Sequence, residues 1–197
     1  MNSIKISLST IILLLTTACS SVVSKVDSLG GSPLDTDHKI SLKDSKIFLV
    51  NGGDGMKKTY TSLGDNDEIA EGSGLSAWTI ANEEMSKFSP LLVAENKPTT
   101  EDKAIEIGKL KQSEYLVYSH VEKWTDPLGI NCHEHYSDEA SVVLSIYSIE
   151  EKQLINSTRL AAKSCPFTLN GFPLSTGSPE SLYEDMFEEW LETNFKK

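Results

Sequence analysis

The sequence has few positive charges, few cysteines and no long apolar run. Its 197 residues carry 18 basic and 29 acidic side chains, which gives a formal charge of −11. Nucleic acids and anionic lipid head groups carry dense negative charge, so a surface of this sign repels both and argues against nucleic-acid binding. No segment reaches the roughly 20 apolar residues that a membrane-spanning helix needs. If the protein is attached to a membrane, the attachment must depend on something other than a spanning helix or a basic patch.

Familiar catalytic and cofactor motifs are also missing. The turn Gly52–Gly55 lacks both the Lys-Ser/Thr of a nucleotide-binding P-loop and the third spaced glycine of a dinucleotide loop. The segment Gly72–Gly74 precedes a predicted helix, whose free amides could hold an anion, but such an entry is more often a plain turn. No serine lies in a Gly-x-Ser-x-Gly elbow, and no acid pair stands out among the 29 acids. The sequence therefore predicts a protein that is not an enzyme and has no cofactor.

The N-terminus has the features of an export signal. Lys5 is followed by the apolar run Ile11–Leu15 and the small residues Thr16–Ala18, a pattern too short for a membrane span. Leu15–Cys19 resembles the lipobox of bacterial lipoproteins, with Thr16 where Leu is most frequent. The resemblance implies cleavage before Cys19, a diacylglyceride on its thiol, and an acyl chain such as palmitate on the new amine.

This interpretation divides the chain into a signal peptide (1–18), a lipidated Cys19 with a flexible tether (19–44), and a single periplasmic domain (45–197). The mature chain has 179 residues and a charge of −12, because the signal peptide contains Lys5 and no acid. The tether is rich in Ser, Lys, Asp, Gly and Pro, and about 20 such residues reach about 25 Å. Ser20 follows the cysteine, which in the enterobacterial sorting pattern implies an anchor in the inner leaflet of the outer membrane.

The apolar periodicity predicts an α/β fold, with helices packed on a mixed sheet of about five strands in the order β-α-β-α-β-β-β-α. Thr99 and Thr100 precede Glu101, which is good helix-start chemistry. Ser178 and Pro179 mark the start of the last helix in the same way. The predicted strands are 46–50, 91–94, 115–121, 140–149 and 154–162, and the predicted helices begin near residues 76, 101 and 179.

Two cysteines remain in the mature domain. Cys132 follows the long third strand and Cys165 follows the last strand, and the chain direction brings both to the same end of the sheet. An even pair in an oxidising compartment predicts a Cys132–Cys165 disulfide. A metal site is the alternative, since Cys132 and His135 have workable ligand spacing with His133 between them. No second ligand cluster completes four ligands, so the disulfide is preferred.

Trp124 ends the long predicted strand beside the cysteine loop. An aromatic side chain at a strand end can anchor a partner or a sugar ring, although it more often covers the edge of a core. Trp124, His133 and His135 are therefore the candidate residues for a partner or ligand surface.

Residues from about 44 to 195 resemble uncharacterised proteobacterial lipoproteins that carry a domain of unknown function. The features that carry the resemblance are Ser113–Val117, Glu122–Trp124, the hairpin over Val142–Ser157 and the last amphipathic helix. The order of elements is more distantly similar to the amino-terminal domain of the Tol propeller protein, the curli-export lipoprotein and the lipoprotein activator of penicillin-binding proteins. Those relatives act by docking on other proteins, so the resemblance implies the same here.

The sequence thus predicts a lipid-anchored periplasmic module that docks on an envelope protein and catalyses nothing. One alternative is a binder of a small ligand or glycan at the end that carries Trp124, Cys132 and Cys165. Another is a metal site over Cys132–His135. The sequence leaves the oligomeric state and the identity of the partner open.

Overall fold

The computed structural model describes residues 22–31, 39–61, 64–126, 137–164, 168–169, 172–173 and 177–197. The strands and helices within them are β1 (Val22–Gly31), β2 (Ile40–Ser41), β3 (Ile47–Asn51), β4 (Met56–Thr61), β5 (Gly64–Ile69), α1 (Ser73–Ser86), β6 (Val93–Glu95), α2 (Glu101–Leu110), β7 (Tyr115–Thr125), β8 (Asp138–Ser148), β9 (Gln153–Ser164), β10 (Thr168–Leu169), β11 (Phe172–Pro173), α3 (Pro179–Asn194) and β12 (Phe195–Lys196).

A mixed eight-stranded sheet forms the centre of the fold. Six strands follow the order β1-β9-β8-β7-β3-β6, and the hairpin β4–β5 joins this sheet where Met56 pairs with Lys123 of β7. Strand β3 runs parallel to β6 and β7, whereas β7, β8, β9 and β1 pair antiparallel. The predicted α/β class with helices packed on a mixed sheet is confirmed.

The helices cover the sheet unequally on its two faces. The chain leaves β3 for β6 on one side and then crosses to β7 on the other, and right-handed crossovers in opposite directions place α1 and α2 on opposite faces. Helix α3 lies on the α1 face and packs on the larger core, while α2 covers a small core around Phe48 and Leu116. Of the helices in the described residues, none is both long and apolar enough to cross a membrane.

Helix α3 is attached through a row of aromatic rings. Trp124, Tyr183, Phe187, Trp190 and Phe195 contact one another in turn, with ring centroids 5.3–6.0 Å apart. At the start of the helix, Ser178 and Ser181 form a reciprocal capping box, and Pro179 occupies the first turn. The start predicted from Ser178 and Pro179 is correct because both residues satisfy the geometry of a helix N-terminus locally.

The sheet contains more strands than the expected five. Residues Met56–Thr61 and Gly64–Ile69 pair as the β4–β5 hairpin, and both strands are polar, with no apolar alternation to reveal them. Residues Val22–Gly31, which we expected within a flexible tether, form strand β1 on the edge of the sheet next to β9. Strand β1 gains its order from main-chain hydrogen bonds to a neighbour, which composition alone does not indicate.

Candidate functional site

The crevice beyond the carboxyl end of β3 is closed by the chain itself. In open α/β sheets this is where ligands usually bind, because neighbouring crossovers diverge there. Here the Asn51 side-chain amide donates to the Asn96 carbonyl at 3.0 Å, and the backbone N–H of Thr99 donates to the Asn51 carbonyl at 3.1 Å. His120 Nδ1 lies 3.2 Å from the Gly52 carbonyl oxygen, which accepts a hydrogen bond from the ring in the tautomer that has its N–H at Nδ1. These bonds occupy the polar groups that would otherwise meet a ligand.

The N-terminus of α1 is occupied by a carboxylate of the same chain. Asp54 accepts hydrogen bonds from the backbone N–H groups of Gly72 and Gly74, at 3.1 and 2.8 Å. Free amides and the helix dipole make this end of a helix favourable for an anion. Asp54 of the glycine-rich turn thus takes the place that an external anion would have at the Gly-Ser-Gly segment. This agrees with the lack of a phosphate-binding pattern in either segment.

Trp124 lies in the core cluster and has 7% of its surface exposed. Its indole N–H donates to the Glu180 carboxylate at 3.2 Å, and its ring makes an edge contact with Tyr183. A shallow pocket of about 330 Å³ opens beside it, lined also by Glu71, Gly72 and Asp126. Little of the ring is left to stack on a sugar, although the pocket itself has room for a small polar ligand.

Three carboxyl groups lie close together at this end of the sheet. Asp138, at the start of β8, is 5% exposed. Burial and the nearby charges of Asp126 and Glu180 raise the pKa of Asp138 to about 6. Within the described residues, no group of three or more His, Cys, Asp or Glu side chains has the geometry to hold a metal ion.

A concave surface lies on the α2 side of the sheet, over strands that α2 does not cover. This charged groove, about 590 Å³ in volume, runs between the β4–β5 hairpin and the open face of β7, β8 and β9. Its walls carry both signs of charge, from Lys57, Lys58, Lys123, Arg159, Asp67, Glu122 and Glu139. The size falls within the usual range for a binding cleft.

Ion pairs organise the floor of the charged groove. Arg159 donates two hydrogen bonds of 2.6 Å to the two carboxylate oxygens of Glu122, and Ser141 donates a third at 3.0 Å. The Arg159 guanidinium is the main reason that the pKa of Glu122 lies below its usual range. Glu139 lies 3.6 Å from Lys123 and 3.4 Å from Lys163. These contacts hold the side chains of Glu122 and Glu139 in position.

Sequence reasoning missed this groove, although one signal was present. Arg159 is the only arginine of the sequence, and it alternates with inward-facing Thr158 and Leu160 on β9. A lone guanidinium on the polar side of a strand is suited to pair with a carboxylate on a neighbouring strand. The partner, Glu122, lies 37 residues earlier, and only the strand order brings the two together.

The other predicted site residues lie outside the residues that the structure describes. They are Cys19, Cys132, His133, His135 and Cys165. The lipid anchor, the disulfide and the alternative metal site therefore stay predictions. The described flanks of the two cysteine segments, Asp126, Ser137 and Ser164, lie at the same end of the sheet, because Asp138 pairs with Ser164 and Thr125 pairs with Glu139.

The sequence matches no protein-family model and no curated protein. Among solved structures, the chain is similar to the PelC dodecamer of Paraburkholderia phytofirmans, at 15% identity and a TM-score of 0.58, over 89% of this chain and 100% of that one. A second PelC crystal form, of a point variant, has a TM-score of 0.59 at the same identity and coverage.

Two further structures are less similar. A Xanthomonas campestris protein of family DUF330 is 7% identical, with a TM-score of 0.42 over 82% of this chain and 85% of that one. The C-terminal domain of LpoB from Salmonella enterica is 17% identical, with a TM-score of 0.35 over 60% of this chain and 83% of that one. The likeness is one of fold. At such identities a shared fold does not define what a protein binds.

Proposed function

We propose that this chain is a non-catalytic, lipid-anchored docking module of the bacterial envelope, and that it binds another envelope protein through the charged groove. The observation that carries the proposal is the mixed-sign wall of that groove. It offers four cationic and three anionic side chains around a concave surface of about 590 Å³.

A wall of both signs favours a protein partner over other polymers. Nucleic acids and anionic membranes present one sign of charge, which the three carboxylates would repel. A polypeptide presents both signs, and complementary charge patterns direct partner choice and association rate more than raw affinity. Lys58 carries no ion pair among the described residues, and its side chain is exposed, so it is available to a partner carboxylate.

The lipobox-like Leu15–Cys19 supports placement at a membrane. A thiol-linked diacylglyceride plus an amine-linked acyl chain satisfies the requirement of more than one chain for stable anchoring. Ser20 supports the inner leaflet of the outer membrane, with the domain facing the periplasm. The PelC dodecamer is a case in which this fold serves as a subunit of a larger assembly, which is compatible with a docking role.

Site-specific photocrosslinking in intact cells tests the proposal. A photoreactive amino acid at position 58 lies in the charged groove, and one at Glu188 on the exposed side of α3 is the matched control. We expect position 58 to give a discrete adduct with a single envelope protein. The same adduct should weaken when Glu122→Lys reverses the charge on the groove floor.

Two results would contradict the docking role. One is an adduct pattern that is the same from positions 58 and 188. The other is an adduct from position 58 that the Glu122→Lys change leaves untouched. Circular dichroism of the purified Glu122→Lys variant must match the wild type, so that a loss of the adduct reflects the groove rather than unfolding.

A small ligand at the Trp124 pocket is the second candidate function. The pocket of about 330 Å³ beside Trp124, with Gly72 and Glu180 on its walls, is the observation that favours it. Titration of polar sugars and amines against the intrinsic fluorescence of the wild type and of Trp124→Phe tests it. A saturable change that the Phe variant lacks would favour the ligand, and no change with any compound would exclude the classes tried.

A further inference from the structure

Strand β1 forms an edge of the sheet and leaves large apolar side chains in solvent. Val22, Val23 and Val26 are 52%, 68% and 58% exposed. Most of the ten residues of the strand are exposed. A long edge strand with apolar side chains is a template for pairing with another strand, because proteins normally protect such edges with charge, proline or a cover.

The outer edge of β1 has no strand beside it in the described part of the chain. Strand β9 pairs with one side from Val22 to Gly31, and no other described strand pairs with β1. In an antiparallel pair, each strand directs about half of its backbone N–H and C=O groups toward its neighbour. The remaining groups of β1 point away from β9 and meet no other strand in the described part of the chain, so a second ladder can form there.

We propose that β1 pairs with β1 of a second copy of this chain, antiparallel and centred on Val26. An antiparallel pair of identical strands is two-fold symmetric, so every contact occurs twice. Strand addition at a sheet edge is a common mode of recognition, in which main-chain bonds give affinity and side-chain pairs give register.

The charges of β1 select this register. With Val26 opposite Val26 of the partner subunit, Lys25 faces Asp27 of the partner subunit, and the same pair recurs across the axis. Within one chain, Lys25 Nζ already lies 2.8 Å from Asp27 Oδ2, so the dimer would hold four charges of alternating sign at the corners of one patch. A shift by one residue places Lys25 opposite a side chain that cannot pair with it, and oppositely charged cross-strand pairs favour a register.

On the other face of β1, the same pairing covers an apolar groove. Val26 pairs with Leu160 of β9 and lines a groove of about 290 Å³ between β1 and α3. Met186 and Trp190 form its helix side. In the dimer, two Val26 side chains meet at the mouth of the two grooves and remove apolar surface from water, which stabilises the pair.

The dimer does not depend on the docking role proposed above, since its main-chain contacts are made by the outer edge of β1, whereas the charged groove lies on the open face of β7, β8 and β9. Asp27 pairs with Arg159 at the side of that groove, so Lys25→Asp is the variant that separates the two roles. It is also compatible with a lipid anchor, because only Ser20 and Ser21 separate Cys19 from Val22. In the paired segment, the Val22 residues of the two copies are about 26 Å apart at opposite ends.

A charge-swap series tests the dimer. The full-length protein is purified in mild detergent, and its mass is followed by analytical ultracentrifugation over a range of concentrations. We expect a dimer for the wild type, and about tenfold weaker association for Lys25→Asp and for Asp27→Lys, because each places like charges opposite one another twice. The double variant Lys25→Asp with Asp27→Lys should restore association, since opposite charges face one another again. Lys103→Asp, the same charge change on exposed α2, should have no effect.

Cysteine crosslinking tests the register. The Val26→Cys variant should form a disulfide-linked dimer in envelopes under mild oxidation. The Cα atoms of directly opposed residues in an antiparallel pair lie about 4.5–5.5 Å apart, which is within the range that a disulfide can bridge. The Ser24→Cys variant, changed two residues away on the same face, should not, and the unmodified chain controls for the native cysteines.

Three results would overturn the dimer. They are a wild type that is monomeric at every concentration, a dimer or larger ring that Lys25→Asp leaves intact, and a disulfide adduct of the Val26→Cys variant with a different protein. An adduct from position 58 that persists in the Lys25→Asp variant would show that docking stands independently of the dimer.

Discussion

Arg159 of β9 and Glu122 of β7 are joined by a two-bonded ion pair that passes over the intervening strand β8. Both Nε and Nη2 of Arg159 lie 2.6 Å from a carboxylate oxygen. A guanidinium and a carboxylate match in this geometry, which defines direction as well as distance. The pair therefore arranges the floor of the charged groove, while about a third of each side chain stays exposed to solvent.

Replacing Arg159 should affect docking more than stability. Exposed ion pairs contribute little, so Arg159→Ala should lower the free energy of unfolding by less than about 1 kcal/mol. The photocrosslink from position 58 should nevertheless be lost, because Glu122 then keeps only the hydrogen bond from Ser141 and is no longer held by two bonds from Arg159. Urea denaturation and crosslinking on the same preparation check both parts. Arg159→Lys keeps the positive charge but cannot donate two parallel hydrogen bonds to Glu122. It should therefore give a crosslink that is stronger than that of Arg159→Ala and weaker than that of the wild type. A large loss of stability would mean that the pair is structural.

Removing the carboxylate from the start of α1 should destabilise the fold. Asp54→Ala deletes the acceptor of the Gly72 and Gly74 amides, which should lower the free energy of unfolding by about 1–2 kcal/mol. Asp54→Asn keeps one acceptor oxygen but loses the charge, so its effect should be smaller. Chemical denaturation measures the free energy of unfolding of the three proteins, which should decrease from the wild type to Asp54→Asn to Asp54→Ala. Equal stability of the wild type and Asp54→Ala would show that water replaces the carboxylate without loss.

A pair of glycine variants separates close packing from backbone strain. A Cβ on Gly74 would lie 2.6 Å from the carbonyl carbon and oxygen of Gly53, so Gly74→Ala must move the backbone and should cost about 2–3 kcal/mol. Gly72 has a φ of +84° but open space around it, so Gly72→Ala should cost only about 1 kcal/mol of strain. Thermal unfolding compares the two. A larger effect at Gly72 would contradict the close contact of α1 with the Gly53 turn.

Asp138 should make the fold more stable at mildly acidic pH than at pH 8. Its folded-state pKa is about 6, above the usual value of 3.8 for an unfolded chain. The folded state therefore binds the proton more tightly, so stability rises as the pH falls from about 7 toward 4. Asp138→Asn mimics the protonated form and should be more stable than the wild type by about 1–3 kcal/mol at pH 8.

The difference between the two proteins should disappear near pH 4. Melting temperatures across this range measure it. Asp44→Asn makes the same chemical change at an exposed carboxyl and is the matched control. A constant difference between Asp138→Asn and the wild type at all pH values would assign the effect to packing rather than to charge.

The sequence by itself determined the α/β class, the three helices and the long strands β7, β8 and β9. Each of these elements has a local signal, such as the capping of α3 by Ser178 and Pro179 or the apolar run that ends at Val50. Local signals depend on hydrogen bonds and side-chain periodicity within a few residues, so they can be read without knowing the neighbours.

Only the tertiary structure decided the number of strands, the role of Trp124 and the position of the charged groove. Strand β1 and the hairpin β4–β5 are polar or exposed, so their order comes from pairing with distant strands rather than from burial of their own side chains. Trp124 lies against Tyr183 of α3 because that helix packs over the end of β7. Glu122 and Arg159 meet because β8 lies between their strands, a relation that depends on strand order and long-range packing, which nearest-neighbour sequence patterns do not encode.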